Sequence, residues 1–315
     1  MNNLPYYPIS KYYKEKYGEK VYKLPIKLDI TCPNRDGAIS RGGCIFCSES
    51  GGSFENRPER MSVSKQLELN REHISKKYHA NKFIAYFQNF SNTYMGLEKF
   101  KELIKACEKD YIVEISISTR ADCISEDKLI FLDEFRKETG IEISFELGLQ
   151  TANYHTSIIL NRCEDLATFI FASNLIKKYN MSICTHVILS LPWDDLTDVI
   201  ETARILKALD IDSVKIHSLY IAKGTKLEKM YKNGEVKMIS EQEYVKRVCE
   251  FLTRIDENCK VERLVARVPK EDSVFCNWDK SWRVIRDDIV NYMNQNNLRQ
   301  GMKNLIKEYQ IIKGE

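Results

Sequence analysis

The residues of this sequence best suited to chemistry are three cysteines close to the N-terminus. Cys32, Cys44 and Cys47 lie within sixteen residues, with eleven residues between the first two, and Gly42 and Gly43 directly precede Cys44. Glycines at such a place let the backbone wrap closely around a bound group. A closed four-iron cluster takes four cysteines, so three would leave one iron with a free coordination position. The spacing therefore indicates an iron–sulfur cluster that can bind a further molecule.

Other interpretations of these cysteines fit less well. A structural zinc site needs four nitrogen or sulfur ligands, usually in two close pairs, and only Cys44 and Cys47 form such a pair. No histidine precedes His73, so a local site of three cysteines and one histidine is missing. A thioredoxin-like pair would leave Cys32 unused. The other seven cysteines are spread singly, which disfavours a disulfide scaffold. Zinc and three unrelated loop cysteines stay open as alternatives.

The segment resembles the cluster loop of radical S-adenosylmethionine (SAM) enzymes. The common form of that loop is C-x-x-x-C-x-aromatic-C, and this sequence departs from it in the eleven residues between Cys32 and Cys44. Cys-Pro-Asn-Arg-Asp-Gly and Gly-Gly-Cys-Ile-Phe-Cys at this long spacing resemble one subgroup, the YhcC/YtqA-like proteins, which are related to the Elp3 elongator subunit. The resemblance implies a [4Fe–4S] cluster on the three cysteines, SAM as cofactor, and Phe46 near the adenine of SAM.

The same resemblance points to polar residues at the ends of the second and third predicted strands. Many radical SAM enzymes carry Gly-Gly-Glu after the second strand, where it holds the methionine amino group. This sequence has Gln88, Asn89 and Asn92 there, whose amide groups are candidates for the polar end of SAM. Ser118 ends the third strand and is a further candidate contact. An ordinary polar loop is the alternative.

A glutamine and an arginine follow the fourth predicted strand at a separation of twelve residues, as Gln150 and Arg162. The related oxygen-independent coproporphyrinogen oxidases have such a pair, and both members contact SAM there. The planar guanidinium of Arg162 suits bidentate pairing with the methionine carboxylate. The relatives often have Gly-His after this arginine, whereas this sequence has Cys163 and Glu164.

The fifth and sixth predicted strands end in further candidates. Relatives usually read Gly-Leu-Pro-Gly-Glu-Thr after the fifth strand, at a turn that approaches the adenine, and this chain begins the same turn with Ser190. Lys215 and His217 are two residues apart on the sixth strand, so both side chains point to one side of it. We expect them to face the barrel interior, where they would meet an anionic substrate or move protons. A structural ion pair is the equal alternative.

The elements that position these residues alternate between strands and helices. Apolar or alternating runs predict six strands, at 26–31, 82–88, 112–119, 141–149, 182–191 and 213–221. Amphipathic stretches predict helices at 64–78, 97–107, 126–137, 165–178 and 196–209. Six β-then-α units imply a parallel sheet, and six is fewer than the eight of a closed TIM barrel. The predicted fold class is α/β, a partial (β/α)6 TIM-type barrel with a small C-terminal extension, and a doubly wound sheet is the alternative.

Composition sets the remaining bounds. The chain has 315 residues and 43% hydrophobic content, enough for one large domain with an appendage. We predict an aromatic and basic N-terminal segment at 1–25, the barrel at 26–235 and a C-terminal extension at 236–315. Net charge is +3, which neither establishes nor excludes a nucleic-acid partner. No membrane segment or export signal is evident, and ten cysteines without such a signal predict the reducing cytoplasm.

The resemblance also implies the reaction. A reduced [4Fe–4S] cluster passes one electron to SAM, and the resulting 5′-deoxyadenosyl radical takes a hydrogen atom from the substrate, so a one-electron donor of the flavodoxin or ferredoxin type is expected. Elp3-like relatives act on the wobble uridine of tRNA, and YtqA-like proteins are linked to processing a carboxymethylaminomethyl group there. We therefore take modification of a tRNA base side chain as the leading hypothesis. The N-terminal stretch 6–23 interleaves tyrosines and lysines, which suits RNA bases and phosphates, although packing against the barrel is the alternative.

Two other function classes stay open. One is a radical SAM enzyme that acts on a small-molecule metabolite or cofactor precursor. The other is a non-catalytic iron–sulfur or zinc protein that acts through a partner. A second cluster on Cys249, Cys259 and Cys276 is a further alternative, although buried free thiols are the plainer interpretation of these residues.

Overall fold

Strands and helices alternate along most of the chain. The computed structural model describes residues 4–49, 51, 58 and 60–303. In chain order the strands are β1 Val21–Ile26, β2 Lys82–Phe87, β3 Ile112–Thr119, β4 Glu142–Gln150, β5 Ser182–Ile188, β6 Ser213–His217, β7 Ile221–Ala222, β8 Lys260–Arg263 and β9 Ser273–Phe275. The helices are α1 Ile9–Tyr17, α2 Pro33–Asp36, α3 Val63–Tyr78, α4 Leu97–Lys105, α5 Glu126–Thr139, α6 Tyr154–Ile159, α7 Leu166–Lys178, α8 Leu196–Ala208, α9 Lys226–Lys232, α10 Glu241–Arg254 and α11 Trp282–Gln295.

The strand order confirms the predicted fold class. Within the described residues, seven strands form one sheet in the order β1-β2-β3-β4-β5-β6-β8, and β7 pairs with β9. Strands β1 to β6 thus each lie beside the strand that precedes them, as in a TIM-type barrel. A doubly wound sheet would instead reverse its order at a switch point. The chain is an α/β protein with a partial TIM-type barrel, and the predicted domain limits stay a prediction.

The prediction of a first strand at 26–31 is wrong, because β1 covers Val21–Ile26. Lys23 and Pro25 interrupt the apolar pattern of this segment, so the sequence pattern does not predict a strand there. Pro25 is tolerated because β1 is the edge strand of the sheet, where a missing N–H leaves no ladder bond unmade. The strand ends at the buried side chain of Gln66. The Lys27 amide donates to Gln66 Oε1 at 2.9 Å, and Gln66 Nε2 donates to the Lys27 carbonyl at 2.8 Å.

The helices after β4 and β5 begin at aspartates that satisfy their first amides. The Asp165 carboxylate accepts from the Thr168 amide at 2.8 Å and starts α7. Asp195 accepts from the Thr197 and Asp198 amides at the start of α8, and the Asp198 side chain returns a hydrogen bond to the Asp195 amide. These caps define helix starts sharply, which explains why both helices begin within one residue of their predicted positions.

The chain divides into two compact units. We call Ser10–Gly148 with Arg162–Cys184 the N-terminal unit, and Met1–Ile9, Leu149–Asn161 and Thr185–Glu315 the C-terminal unit.

Strands β1 to β4 of the N-terminal unit pair in parallel with matched side-chain alternation. One face carries a buried apolar row at each level, as in Ile26, Phe87, Ile117 and Phe145. The residues between them in sequence share the other face, because successive side chains in a strand point to opposite sides. Most of them are polar, with Pro25 and Ile84 as exceptions. This second face carries Lys23, Tyr86, Glu114, Ser116, Ser118, Ser144 and Glu146. The polar face is therefore the one on which chemistry can be built.

The C-terminal unit is organised around α10, which packs against α8 and α11. Tyr244 of α10 is fully buried and its hydroxyl donates to the Leu264 carbonyl at 2.6 Å. Residues 4–9 belong to this unit, since the Val261 amide donates to the Tyr7 carbonyl at 2.8 Å and the Tyr7 amide donates to Gln300 Oε1 at 2.8 Å. None of the described helices has the length and apolar composition needed to cross a bilayer.

Candidate active site

The cysteine loop follows β1 and is folded by its own backbone. Cys32 precedes the single-turn helix α2, and its carbonyl accepts from the amides of Arg35 and Asp36 at 2.8 and 3.2 Å. The Cys47 amide donates to the Cys44 carbonyl at 3.0 Å, which closes a second turn. Burial raises the pKa of Cys47, and the charges of Cys44 and Cys32 raise it further. The three predicted ligands thus lie in one folded loop, and their role as cluster ligands stays a prediction.

Arg35 fastens the two turns of this loop together. Its guanidinium donates to the carbonyls of Cys47 and Ser48 at 3.5 Å and lies 5.3 Å from the ring centre of Phe90. Gly43 packs directly against it, because a Cβ on Gly43 would lie 2.8 Å from Arg35 Cγ, and its φ of +79° also favours glycine. Arg35 is a residue that the sequence analysis did not single out, although it stands in the Cys-Pro-Asn-Arg-Asp-Gly motif.

The environment of the thiols fits a metal cluster. Burial raises the pKa of Cys44 and raises that of Cys47 to about 12, so both thiols hold their protons at neutral pH without metal. Nearby cations oppose this effect of burial. Arg162 and Arg120 lower the pKa of Cys44, and Arg35 lowers the pKa of Cys47. A bound metal deprotonates coordinating thiols outright, and nearby guanidiniums then offset the thiolate charge. Three sulfur donors beside three cations are a suitable set for a negatively charged iron–sulfur cluster.

Two buried asparagines, Asn89 and Asn92, follow β2, and their side-chain oxygens accept no hydrogen bond from the described residues. Asn89 Nδ2 donates to the Leu28 carbonyl at 3.0 Å, and Asn92 Nδ2 donates to the carbonyls of Ser118 and Asn89 at 2.8 and 2.9 Å. The Oδ1 atoms of both are buried and accept no hydrogen bond from the described residues. Unmatched buried acceptors are costly, so a donor ligand such as an ammonium group would be favoured here. Asn89 also has a φ of +89°, which shows that the turn is held in an unusual conformation.

Ser118 belongs to a buried network on the polar face of the sheet. Glu146 is the centre of this network and accepts from Lys23 Nζ at 2.6 Å, from the Tyr86 hydroxyl at 2.7 Å and from Ser118 Oγ at 3.3 Å. Lys23 Nζ also lies 4.6 Å from the centre of the Tyr86 ring. The carboxylate is thus paired and hydrogen-bonded, as a buried charge must be. Tyr86 and Glu146 were not predicted as site residues because each lies inside a strand rather than at its end, and Lys23 was predicted only as part of the N-terminal stretch 6–23.

Arg162 and Arg120 lie beside the cysteine loop with two carboxylates. Asp122 holds Arg120 with two hydrogen bonds, at 2.8 Å to Nε and 2.5 Å to Nη2. Arg162 Nη2 donates to the Gly148 carbonyl and to Glu164 Oε2, both at 2.5 Å. Both arginines are buried. Two cations and two anions balance, and this explains how the site tolerates so much buried charge.

The other residues predicted to contact SAM lie in both units. In the N-terminal unit, Phe46 is half-buried and Gln88 ends the pairing of β2, with its amide donating to the Ile26 carbonyl at 3.2 Å. In the C-terminal unit, Gln150 is the last residue of β4 with a φ of +70°, and Ser190 is fully buried. Ser190 Oγ accepts from the Leu219 amide at 2.6 Å, which fixes the turn after β5 to the segment after β6.

Lys215 and His217 have different surroundings within the C-terminal unit. Lys215 is buried and pairs with Glu262 of β8, with 3.4 Å between Nζ and Oε2. His217 ends β6 and stacks on His186, with 5.2 Å between ring centres and an interplanar angle of 29°. The ion pair of Lys215 matches the structural alternative stated above. A substrate role for both residues stays a prediction.

Asp194 lies in the turn after β5 with a raised pKa. Burial disfavours its carboxylate and raises the pKa to about 6, while the side chains of Thr156 and Thr151 partly oppose the shift. Arg247 holds the same turn, since its Nη2 donates to the Asp194 carbonyl at 2.8 Å and its Nη1 to the Leu191 carbonyl at 3.2 Å. The hydrogen bonds from Arg247 therefore hold the turn in place, although burial of the Asp194 carboxyl disfavours its charged form.

We predict that D194N makes the metal-free protein more stable at pH 7, by about 2 to 3 kcal/mol. From about pH 4 to pH 6 the folded chain retains a proton that the unfolded chain has released, so the stability contributed by Asp194 falls as pH rises. Below about pH 4 the variant and parent should agree. Urea denaturation at several pH values measures this, with D287N of the exposed Asp287 as control. A D194N variant that is no more stable than the parent at pH 7 would contradict the pKa assignment.

Comparison with known proteins identifies relatives over most of the chain. Residues 211–295 match the family described as the radical SAM C-terminal domain. The YtqA protein of Bacillus subtilis is 34% identical over 284 residues, which cover 89% of this chain and 87% of YtqA. The YhcC protein of Escherichia coli is 28% identical over 285 residues, which cover 90% of this chain and 91% of YhcC.

A solved structure supports the fold. Elp3 of the archaeon Methanocaldococcus infernus superposes with a TM-score of 0.68 over 89% of this chain at 19% identity. The chain spans 64% of that Elp3 chain, and at this identity the likeness shows the fold alone.

The barrel, the three-cysteine loop and these matches define a radical SAM protein, whose cofactors are a [4Fe–4S] cluster and SAM. Within that superfamily, the chain belongs to the family of YtqA and YhcC. The predicted family and cofactors are thereby confirmed.

Proposed function

We propose that this radical SAM enzyme modifies a base side chain of tRNA, with the wobble uridine as target. The observation that supports the chemistry is the loop of Cys32, Cys44 and Cys47 beside balanced arginines. Together the cluster and SAM supply a carbon-centred radical that can take a hydrogen atom from the substrate. The cysteines hold the cluster, and a one-electron donor of the flavodoxin or ferredoxin type reduces it. A cytoplasmic location is part of the proposal, since such a cluster needs a reducing compartment.

The chain's own residues bind the amino-acid end of SAM in this proposal. The buried Oδ1 atoms of Asn89 and Asn92 are acceptors for its ammonium group. Arg162 is the donor for its carboxylate, because both hydrogen bonds that it makes within the described residues leave from Nη2, and its Nε–H and Nη1–H groups remain for a ligand. The further proposed cofactor contacts, carried over from the resemblance, are Phe46, Gln88, Ser118, Gln150 and Ser190.

We predict that C32A/C44A/C47A abolishes SAM cleavage, because no ligands remain for the cluster. The measurement is anaerobic: reconstitute with iron and sulfide, reduce with dithionite, add SAM and quantify 5′-deoxyadenosine by mass spectrometry. C276S is the control, since the half-buried Cys276 lies in the C-terminal unit. Parent protein that carries a four-iron cluster and forms no deoxyadenosine would contradict the proposed reaction. Loss of deoxyadenosine in C276S would point to a second cluster.

A cationic and aromatic surface supports RNA as the substrate. Three guanidiniums surround the Trp282 ring, with 3.7, 4.7 and 5.5 Å from its centre to the Cζ atoms of Arg267, Arg283 and Arg286. Asp287 pairs with Arg286 at 2.6 Å. Like charges gathered at one ring repel each other, and a bound phosphate relieves that repulsion. Arg267 and Arg283 are exposed, so the surface, which we call the Trp282 cluster, is accessible to a strand of RNA.

The N-terminal aromatic and basic stretch has a more structural role than the Trp282 cluster. Its residues form α1 and β1 rather than an extended arm. Tyr13 is buried, and Lys16 pairs with Glu142 at 3.3 Å. This packing matches the alternative stated in the sequence analysis. Contact of this stretch with RNA stays a prediction.

We predict that R267Q/R283Q/R286Q weakens tRNA binding at least tenfold and lowers the slope of log affinity against log salt by about two. Each guanidinium that meets a phosphate releases counterions, so both quantities should change together. Fluorescence anisotropy with bulk tRNA between low and physiological salt measures them. K65Q/K76Q/K99Q removes the same charge from exposed helix positions of the N-terminal unit and should bind nearly as the parent does.

Two outcomes of this titration would count against the proposal in different ways. Parent protein with no salt-dependent affinity for tRNA would remove the RNA substrate and favour a small molecule. Equal losses in the arginine and lysine variants would show that binding follows net charge and that the Trp282 cluster has no special role.

A further inference from the structure

The buried glutamate beside the proposed SAM-binding arginine has no assigned role. The side chain of Glu164 is only 3% exposed. Its Oε2 accepts from Arg162 Nη2 at 2.5 Å, and its Oε1 accepts from the Ala121 amide at 2.8 Å. Each carboxylate oxygen therefore binds a different part of the N-terminal unit. Glu164 connects the segment after β3 to the segment that carries Arg162.

The two arginines of this cluster are held in different ways. Asp122 takes Arg120 through Nε and Nη2, which occupies the edge of the guanidinium that would grip a carboxylate. The Nη1 of Arg120 donates to the Arg162 carbonyl at 3.0 Å. Glu164 instead takes Arg162 through Nη2 alone, together with the Gly148 carbonyl. Arg120 is thus held on its carboxylate-binding edge, while Arg162 keeps its Nε–H and Nη1–H groups for a ligand.

The backbone around Arg162 also needs such support. Asn161 and Cys163, which flank it, have φ values of +53° and +50°, a conformation that non-glycine residues adopt only at a cost. Here Arg120 donates to the carbonyls of Arg162 and Cys163, and Glu164 ties the turn to the Ala121 amide. Contacts that hold the turn also hold the direction of the Arg162 side chain.

We propose that Glu164 is a positioning residue that aims Arg162 at the carboxylate of SAM and sets the charge beside the cluster. The inference rests on the SAM contact assigned to Arg162 under the proposed function. Glu164 Oε2 lies 2.5 Å from Arg162 Nη2 and 3.5 Å from Arg120 Nη2, so loss of its charge would leave both guanidiniums less neutralised and change the potential at a cluster bound by the loop. Glu164 touches neither substrate nor reacting atoms in this assignment.

Two substitutions separate position from charge. E164D keeps the charge but shortens the reach, so it should raise the Kd for SAM about tenfold and leave the reduction potential of the cluster near that of the parent. E164Q keeps the length but removes the charge, so it should raise the Kd by a similar factor and make the potential less negative. E250Q is the matched control, because Glu250 likewise pairs with an arginine, Arg254, but lies in the C-terminal unit.

The experiment uses reconstituted protein, with equilibrium dialysis of SAM and an EPR-monitored redox titration. Parent protein that binds no SAM would overturn the proposed function itself. Parent that binds SAM, with both Glu164 variants matching it in Kd and in potential, would overturn only the positioning role. A lower Kd in either variant would also overturn it, since Glu164 would then compete with SAM for Arg162. Thermal unfolding of each variant identifies any loss of fold, and E164D, which retains the ion pair's charge, is the milder change.

Discussion

The structure around the cysteine loop depends on the balance of buried charge. Thiols, guanidiniums and carboxylates lie together with little access to water, where an unpaired charge costs several kcal/mol. Arg120 and Arg162 are each paired with a carboxylate, and their positive charge in turn acts on Cys44. Three ligand thiolates bring further negative charge when they bind metal. The positive charge of the arginines lowers the pKa of Cys44 and so favours the added thiolate charge.

The sheet makes this concentration of charge compatible with folding. In β1 to β4, every second residue joins an apolar face, and the alternate residues are free to be polar. Glu146 in the middle of β4 can therefore be buried on the polar face with Lys23 and Tyr86, without interrupting the row that contains Phe145. The carboxyl ends of the strands then add the turns of Asn89, Ser118 and Arg120. The position of each polar group follows from strand alternation and strand order together.

Much of this arrangement could be predicted from the sequence, and particular residues show where prediction stops. The strand at 112–119 has its predicted limits because its apolar alternation is unbroken, and α8 is defined by the Asp195 cap. β1 was misplaced because Lys23 and Pro25 disguise an edge strand. The three cysteines were predicted from spacing, but the hydrogen bond of Glu164 to Ala121 joins residues 43 apart in sequence. Such a contact depends on how the two turns fold against each other, and no local sequence pattern predicts it. The SAM contacts stay predictions, and Asn89 and Asn92 among them gain support from their buried acceptors.

The central claim is that three cysteines hold a four-iron cluster with one iron open to SAM. The most direct test is EPR of the reduced, reconstituted protein without and with SAM. The account predicts a [4Fe–4S] signal whose g values shift when SAM is added, because SAM would occupy the iron that lacks a cysteine ligand. A four-iron signal that SAM leaves unchanged would contradict the open position, and protein that binds zinc but no iron would contradict the cluster.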